Sequence, residues 1–284
     1  DILLISTSFI LSFFIIIVSQ KYFLRNNYID KINTRSSHSS LATRTGGISL
    51  FSTLFLISVY FYLTGYDIYE FSLLIPVSIL AAVGLYDDIN GVDFKLKFIF
   101  QIIAAKIIID NGLIIDNLHG FGGVYEISRI TAQLLTVLVI VAIINSINFI
   151  DGVDGLAITE FIKIIIVIEM FSTEHSLLAP MGLILMCSII PLYYFNFKTK
   201  RKVFLGDAGS LLLGTIVAIY IFFVLGNQYT FKTNFNINKT IFSLRWVYKK
   251  CRLLHVIYDF CKKQNNIYPM FRITMGAFPI FKIC

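Results

Sequence analysis

The sequence predicts an all-α, polytopic integral membrane helix bundle whose polar loops gather at the cytoplasmic face. Three observations predict it. Of the 284 residues, 57% are hydrophobic and only 14% are charged, against about 25% charged in an average soluble domain. Mean hydropathy is +0.78, and apolar runs near the ~20 residues needed to cross the hydrocarbon core recur along the chain. Lys and Arg crowd into alternate connecting loops, as the positive-inside rule describes. A soluble core of this size would need a charged shell that the chain does not supply.

About eight spans are expected, near residues 2–20, 47–63, 70–86, 97–115, 130–147, 157–172, 177–195 and 210–226. Residues 2–18 carry no basic leader and no small-residue cleavage site, so they predict a first membrane helix and not a signal peptide. Asp1 in first place suggests that the native start lies upstream. The cysteines form no framework, and Cys251, His255 and Cys261 match no zinc spacing.

The loops set the orientation. Lys21, Arg25, Lys31, Arg35 and Arg44 follow the first span, Lys95 and Lys97 the third, and "NFKTKRK" the seventh. The loops after the second and sixth spans hold no Lys or Arg. The basic loops therefore share one side, expected to be cytoplasmic, with the N-terminus outside. Four sequence-distant segments land on that side: "HSSLATRTGGI", "GLYDDINGVDFKLKF", "NFIDGVDGLA" and "VFLGDAGSLLLG".

These segments hold the residues that can do chemistry. Asp87 and Asp88 are adjacent carboxylates at the inner end of a span. Such pairs raise one another's pKa and attract divalent cations, although two solvated loop acids would read the same. Asn145, Asn148, Asp151 and Asp154 recur every third residue, so a helix would bring them near one face. Asn148, Asp151 and Asp154 offer hard oxygen donors, while Gly152 and Gly155 allow backbone close to a ligand; a helix-ending turn is the bland alternative. In "FLGDAGS", Asp207 or Ser210 could cap the next helix, or the glycine-rich loop could seat a phosphate at the helix N-terminus. Neither nucleotide fingerprint is present. Arg44 before Gly46 and Gly47 suits a bidentate phosphate contact, or serves only as a positive-inside anchor. His38 is an acid/base candidate. Together they suit a magnesium-dependent reaction of an anionic phosphate substrate where soluble nucleotide meets lipid.

"RSSHSSLATRTGGI", "YDDINGVDFKLKFIFQ", "NFIDGVDGLA" and "FLGDAGSLLLG" resemble, in order, four motifs of the polyprenyl-phosphate N-acetylhexosamine-1-phosphate transferases, glycosyltransferase family 4. That family includes the initiators of O-antigen and enterobacterial common antigen and the phospho-MurNAc-pentapeptide translocases. The resemblance covers roughly residues 1–226 and implies a reaction: UDP-sugar plus undecaprenyl phosphate gives undecaprenyl-diphosphate-sugar and UMP. It further implies Mg2+, with Mn2+ as substitute, a bacterial inner membrane, and a site facing the cytoplasm. Carried over by motif, Asn148 and Asp207 would be metal ligands, and Asp87 and Asp88 would handle the lipid phosphate. Asp151 and Asp154 would organise the nucleotide, Phe204 would stack on uracil, and Arg44, Gly46, Gly47 and Asn196 would frame the substrate. The expected partners are a UDP-N-acetylhexosamine, undecaprenyl phosphate and membrane lipid, with no nucleic acid; a homodimer is compatible.

The sequence departs from the family at three places. Leu41–Gly47 lacks the usual prolines, and the basic "NFKTKRKVF" makes Asn196 a loose match. Residues 227–284 form an atypical tail with ten Lys or Arg and one acid, Asp259, and no clean span. A miscounted span or an amphipathic anchor on anionic lipid would explain it; the abrupt loss of patterning favours a frameshifted or truncated ending, under which an inactive family member is the alternative to an active transferase. A membrane transporter is the alternative of a different class, but it would hold its polar groups near mid-bilayer.

Overall fold

The structure is a computed structural model that describes residues 2–29, 42–66, 68–118, 120, 123–171, 177–198 and 201–225. Each predicted span is a helix: α1 (Ile2–Arg25), α2 (Gly46–Leu63), α3 (Leu74–Asn90, entered through a single tight turn at Phe71–Leu73), α4 (Phe94–Asp110), α5 (Arg129–Ile150), α6 (Leu156–Phe171), α7 (Ala179–Asn196) and α8 (Gly206–Leu225). Six of them are long and apolar enough to cross a membrane, which makes this a multi-pass membrane protein. The other two are α4, whose 17 residues fall short of its expected span, and α6, whose 16 residues equal the length of its expected span.

Local sequence explains the boundaries. The predicted 97–115 span is displaced to Phe94–Asp110. Asp93 is extended (φ −62, ψ 137) and starts the helix, while Gly112 at φ +85 turns the chain away after Asn111. Ser128 caps α5, its side chain accepting from the Thr131 amide. α5 ends at Ile150, so only Asn145 and Asn148 of the three-residue repeat are helical; Asp151 is the C-cap and Asp154 lies in the following turn. α8 begins at Gly206, four residues before its predicted start.

α8 is the hub of the bundle. Its span is 83% buried by protein, against 17% for α1 at the periphery. It packs on α2, α3, α5 and α6, and glycines let the backbones approach, as is usual where lipid gives helices no hydrophobic reason to associate. A Cβ at Gly214 would sit 2.9 Å from Ile144 Cα, and one at Gly84 would sit 2.5 Å from Asp207 O. Large apolar side chains left outside, among them Phe14, Leu134 and Leu138, face the hydrocarbon.

The helix alternation brings the C-terminal ends of α1, α3, α5 and α7 and the N-terminal ends of α2, α4, α6 and α8 to one face. There β1 (Ala42–Thr43) pairs in parallel with β2 (Lys202–Val203), Ala42 opposite Lys202 and Thr43 opposite Val203. The described residues all fall within one compact unit, Asp1–Phe231. His38 and the tail, 227–284, lie outside the described residues.

Candidate active site

The frame of the site is backbone locked to backbone. Phe204 N donates to Thr43 O at 2.8 Å, Gly46 N to Phe204 O at 2.9 Å and Gly47 N to Leu205 O at 2.8 Å. A Cβ on Gly46 would lie 2.7 Å from Phe204 O, and one on Gly47 would collide with the Gly209 amide. Both glycines are buried, so the task visible for them is to let α2 and α8 start side by side. Asn196 is also buried: its Nδ2 donates to Val203 O at 3.0 Å and ties the end of α7 to β2. Its Oδ1 has no hydrogen-bond partner. These three residues are buried within the frame of the site.

Asp88 comes from α3, one turn after Gly84, and its side chain is 0% exposed. Its Oδ1 accepts from Asp207 N and its Oδ2 from Ala208 N, both at 3.0 Å. Asp88 is thus the cap of α8, a place the sequence offered to Asp207 or Ser210. Gly206, at φ +75, is required there: a Cβ would lie 2.7 Å from Asp88 Oδ2. Arg44 Nη1 stands 3.7 Å from Asp88 Oδ1, with the arginine side chain 42% exposed at the mouth of the cleft.

Asp207 is the junction of the site. Its Oδ1 accepts from Asn148 Nδ2 at 3.0 Å, and its Oδ2 accepts from Lys97 Nζ at 2.8 Å. Asn148 Nδ2 also donates to Ser210 Oγ at 2.8 Å. Lys97 makes a second ion pair, with Asp87 Oδ2, while Asp87 Oδ1 accepts from Val92 N at 2.6 Å. On the other side of the cleft Asp154 pairs with Lys202 Nζ at 2.7 Å, and that ammonium lies 6.0 Å from the centre of the Phe204 ring. Among the described residues no hydrogen bond reaches the Asp151 carboxylate. Burial pushes its pKa well above the ordinary carboxylate range, the charges of Asp207 and Asp88 add to the shift, and Arg44 opposes it.

Asp87, Asp88, Asp151, Asp154 and Asp207, expected from three scattered motifs, therefore meet in one polar cluster with Arg44, Asn148 and Phe204. Lys97 and Lys202 were missed as site residues. Each sits in a basic segment where the positive-inside rule already accounted for its charge. Four carboxylates, Asp87, Asp88, Asp154 and Asp207, pair with three cations here, an excess of negative charge that a divalent cation would offset. Among the described residues no three His, Cys, Asp or Glu side chains form a metal cluster on their own. Magnesium, however, is usually held by one or two carboxylates together with substrate phosphates, and Asp207 and Asn148 carry hard oxygens for that use once Asn148 turns its Oδ1, in place of Nδ2, toward Asp207.

Fold and cleft define a multi-pass membrane protein with a carboxylate-rich polar site at one membrane face. The family model for glycosyl transferase family 4 matches residues 70–225, more than half of the chain, and the chain belongs to that family. Two similar proteins are undecaprenyl-phosphate alpha-N-acetylglucosaminyl 1-phosphate transferases. The one from Haemophilus influenzae is 36% identical over 210 residues, covering 68% of this chain and 56% of its own. The one from Pasteurella multocida is 35% identical over 210 residues, with the same shares. A probable undecaprenyl-phosphate N-acetylglucosaminyl 1-phosphate transferase from Bacillus subtilis is 28% identical over 199 residues, 67% of this chain and 54% of its own. The chain thus spans about half the length of the curated relatives it matches.

Proposed function

We propose that the chain transfers N-acetylhexosamine 1-phosphate from a UDP-sugar to undecaprenyl phosphate, releasing UMP, at the cytoplasmic face of a bacterial inner membrane. This would be the first membrane step in building a cell-surface polysaccharide. The observation that carries the reading is the Asp207 junction, where one carboxylate is gripped by an amide from α5 and an ammonium from α4 at the membrane face. The family supports it, and the names of the relatives favour undecaprenyl phosphate as acceptor and N-acetylglucosamine as the sugar to try first.

The transfer balances as follows. An oxygen of the lipid phosphate attacks the β-phosphorus of the donor, the bond from that phosphorus to the bridging oxygen breaks, and UMP leaves with the electron pair. A phosphate monoester is largely dianionic near neutral pH, its second pKa being about 6, so no strong base is needed. Asp87, held by Val92 N and Lys97, can orient the nucleophile or accept its last proton. Asp88, with both oxygens engaged, acts by placing Asp207. Lys97 balances Asp87 and Asp207 and presents an ammonium to incoming phosphate; Arg44 does the same at the rim. Phe204 offers a ring face to uracil, and the Asp154–Lys202 pair fixes that corner. Asp207 and Asn148 would hold Mg2+, or Mn2+ in its place. When bound, the metal supplies neutralisation of the diphosphate and of the departing UMP.

The test is release of UMP from UDP-N-acetylglucosamine by membranes containing the chain, with undecaprenyl phosphate present or omitted. Release that requires the lipid phosphate supports the reading. No release with any UDP-N-acetylhexosamine, from protein shown to be inserted, overturns it.

A further inference from the structure

Beneath the cleft, one amide pair crosses from α4 to α5 within the apolar bundle. Asn145 Nδ2 donates to Gln101 Oε1 at 2.7 Å, and Gln101 Nε2 donates back to Asn145 Oδ1 at 3.3 Å. Asn145 Nδ2 also donates to Val141 O at 2.8 Å, and Gln101 is 1% exposed. Polar pairs of this kind decide where two apolar helices touch in lipid.

The position of the pair gives it a second consequence. Gln101 lies one turn beyond Lys97 on α4, and Asn145 lies one turn before Asn148 on α5. Lys97 and Asn148 donate to the two different oxygens of the Asp207 carboxylate, at 2.8 and 3.0 Å. Five side chains therefore close a ring: Gln101, Lys97, Asp207, Asn148 and Asn145. A slide of α4 against α5 by one residue moves a donor by about 1.5 Å along the axis, enough to take one of the two donors out of hydrogen-bond range.

We infer that the Gln101–Asn145 pair is a positioning clamp that sets the register of α4 against α5 so that Lys97 and Asn148 grip Asp207 together. Its effect on turnover rests on the transferase reading; its effect on Lys97 does not.

The experiment is amine-reactive labelling in native membranes, read by mass spectrometry at Lys97, with Lys106 on the same helix as internal reference. The variants are Gln101→Leu, Asn145→Leu, and the exchanged pair Gln101→Asn with Asn145→Gln. Each single change is expected to raise Lys97 labelling relative to Lys106 by about threefold, the factor one interhelical hydrogen bond in a membrane commands. The exchanged pair is expected to return it toward the parent value. In the same membranes kcat for transfer falls in the single variants with donor KM little changed, and the exchanged pair restores it. Unchanged Lys97 labelling in both single variants overturns the clamp, and so does a parallel rise at Lys97 and Lys106. Raised labelling with unaltered kcat overturns its positioning role. A parent chain that transfers nothing would count against the transferase reading, while labelling still decides the clamp.

Discussion

The carboxylate of Asp88 caps the helix that carries Asp207. Its two oxygens accept the amides of Asp207 and Ala208 at 3.0 Å each, where a helix N-terminus favours negative charge. Of the two acids, Asp88 was expected to handle the lipid phosphate and Asp207 to bind the metal; Asp88 is fully buried with both oxygens held by α8, whereas Asp207 is 25% exposed.

Replacing the cap should loosen α8. Asp88→Ala is expected to lower stability by about 1 kcal/mol and to reduce transfer by more than that loss explains, because Asp207 is displaced. Asp88→Asn keeps one acceptor and should recover part of the stability. Thermal unfolding in detergent, run beside the transfer assay, checks both; an Asp88→Ala protein with the parent melting curve would contradict the cap.

Removing the cation between the two acids should be costly to the reaction. Lys97→Met leaves Asp87 and Asp207 facing each other without the ammonium that joins them. Turnover is expected to fall about a hundredfold, the usual scale for losing one preorganised charge-stabilising donor. Steady-state kinetics on membranes adjusted to equal protein content reads this directly.

The glycines separate into those that pack and those that do not. Gly84→Ala puts a Cβ 2.5 Å from Ala208 N and should destabilise by about 1–3 kcal/mol. Gly152→Ala meets nothing nearer than Phe149 O at 3.6 Å, and its stability should change by less than about 0.5 kcal/mol. Comparing the two melting temperatures decides it.

Asp151 should be an acid that the fold pays for. Its folded-state pKa is raised, by burial first and then by Asp207 and Asp88. Between the unfolded value near 3.9 and the raised folded value, the native state binds more protons than the unfolded one, so stability falls as pH rises through that window. Asp151→Asn removes the penalty. It is expected to melt above the parent at about pH 8 and to converge with it toward acid pH; curves separated equally at both ends would contradict the assignment.

The helices were legible because each is a long apolar run, and apolar length is a local property. The grouping of the motifs at one face was legible too, from the alternation of basic loops. What the sequence hid is made by contacts between distant segments. The β1–β2 pair is two residues a side and joins position 42 to position 202, too short for any periodicity. Asp88 as a cap for α8 spans more than a hundred residues. Asn145, Asn148, Asp151 and Asp154 suggested one helical face, but α5 stops at Ile150, and the turn at Gly155 (φ +71) swings Asp154 toward Lys202. Lys97 was hidden by its own plausibility as a positive-inside anchor: only the fold shows that its ammonium points into the carboxylates.

The most direct test of the account is formation of labelled undecaprenyl-diphosphate-sugar by the parent chain and by Asp207→Asn, each with and without magnesium. The account predicts product from the parent only when magnesium is present, and none from Asp207→Asn, although that protein still inserts. Equal turnover by Asp207→Asn, or product that forms just as fast in chelator, would contradict it.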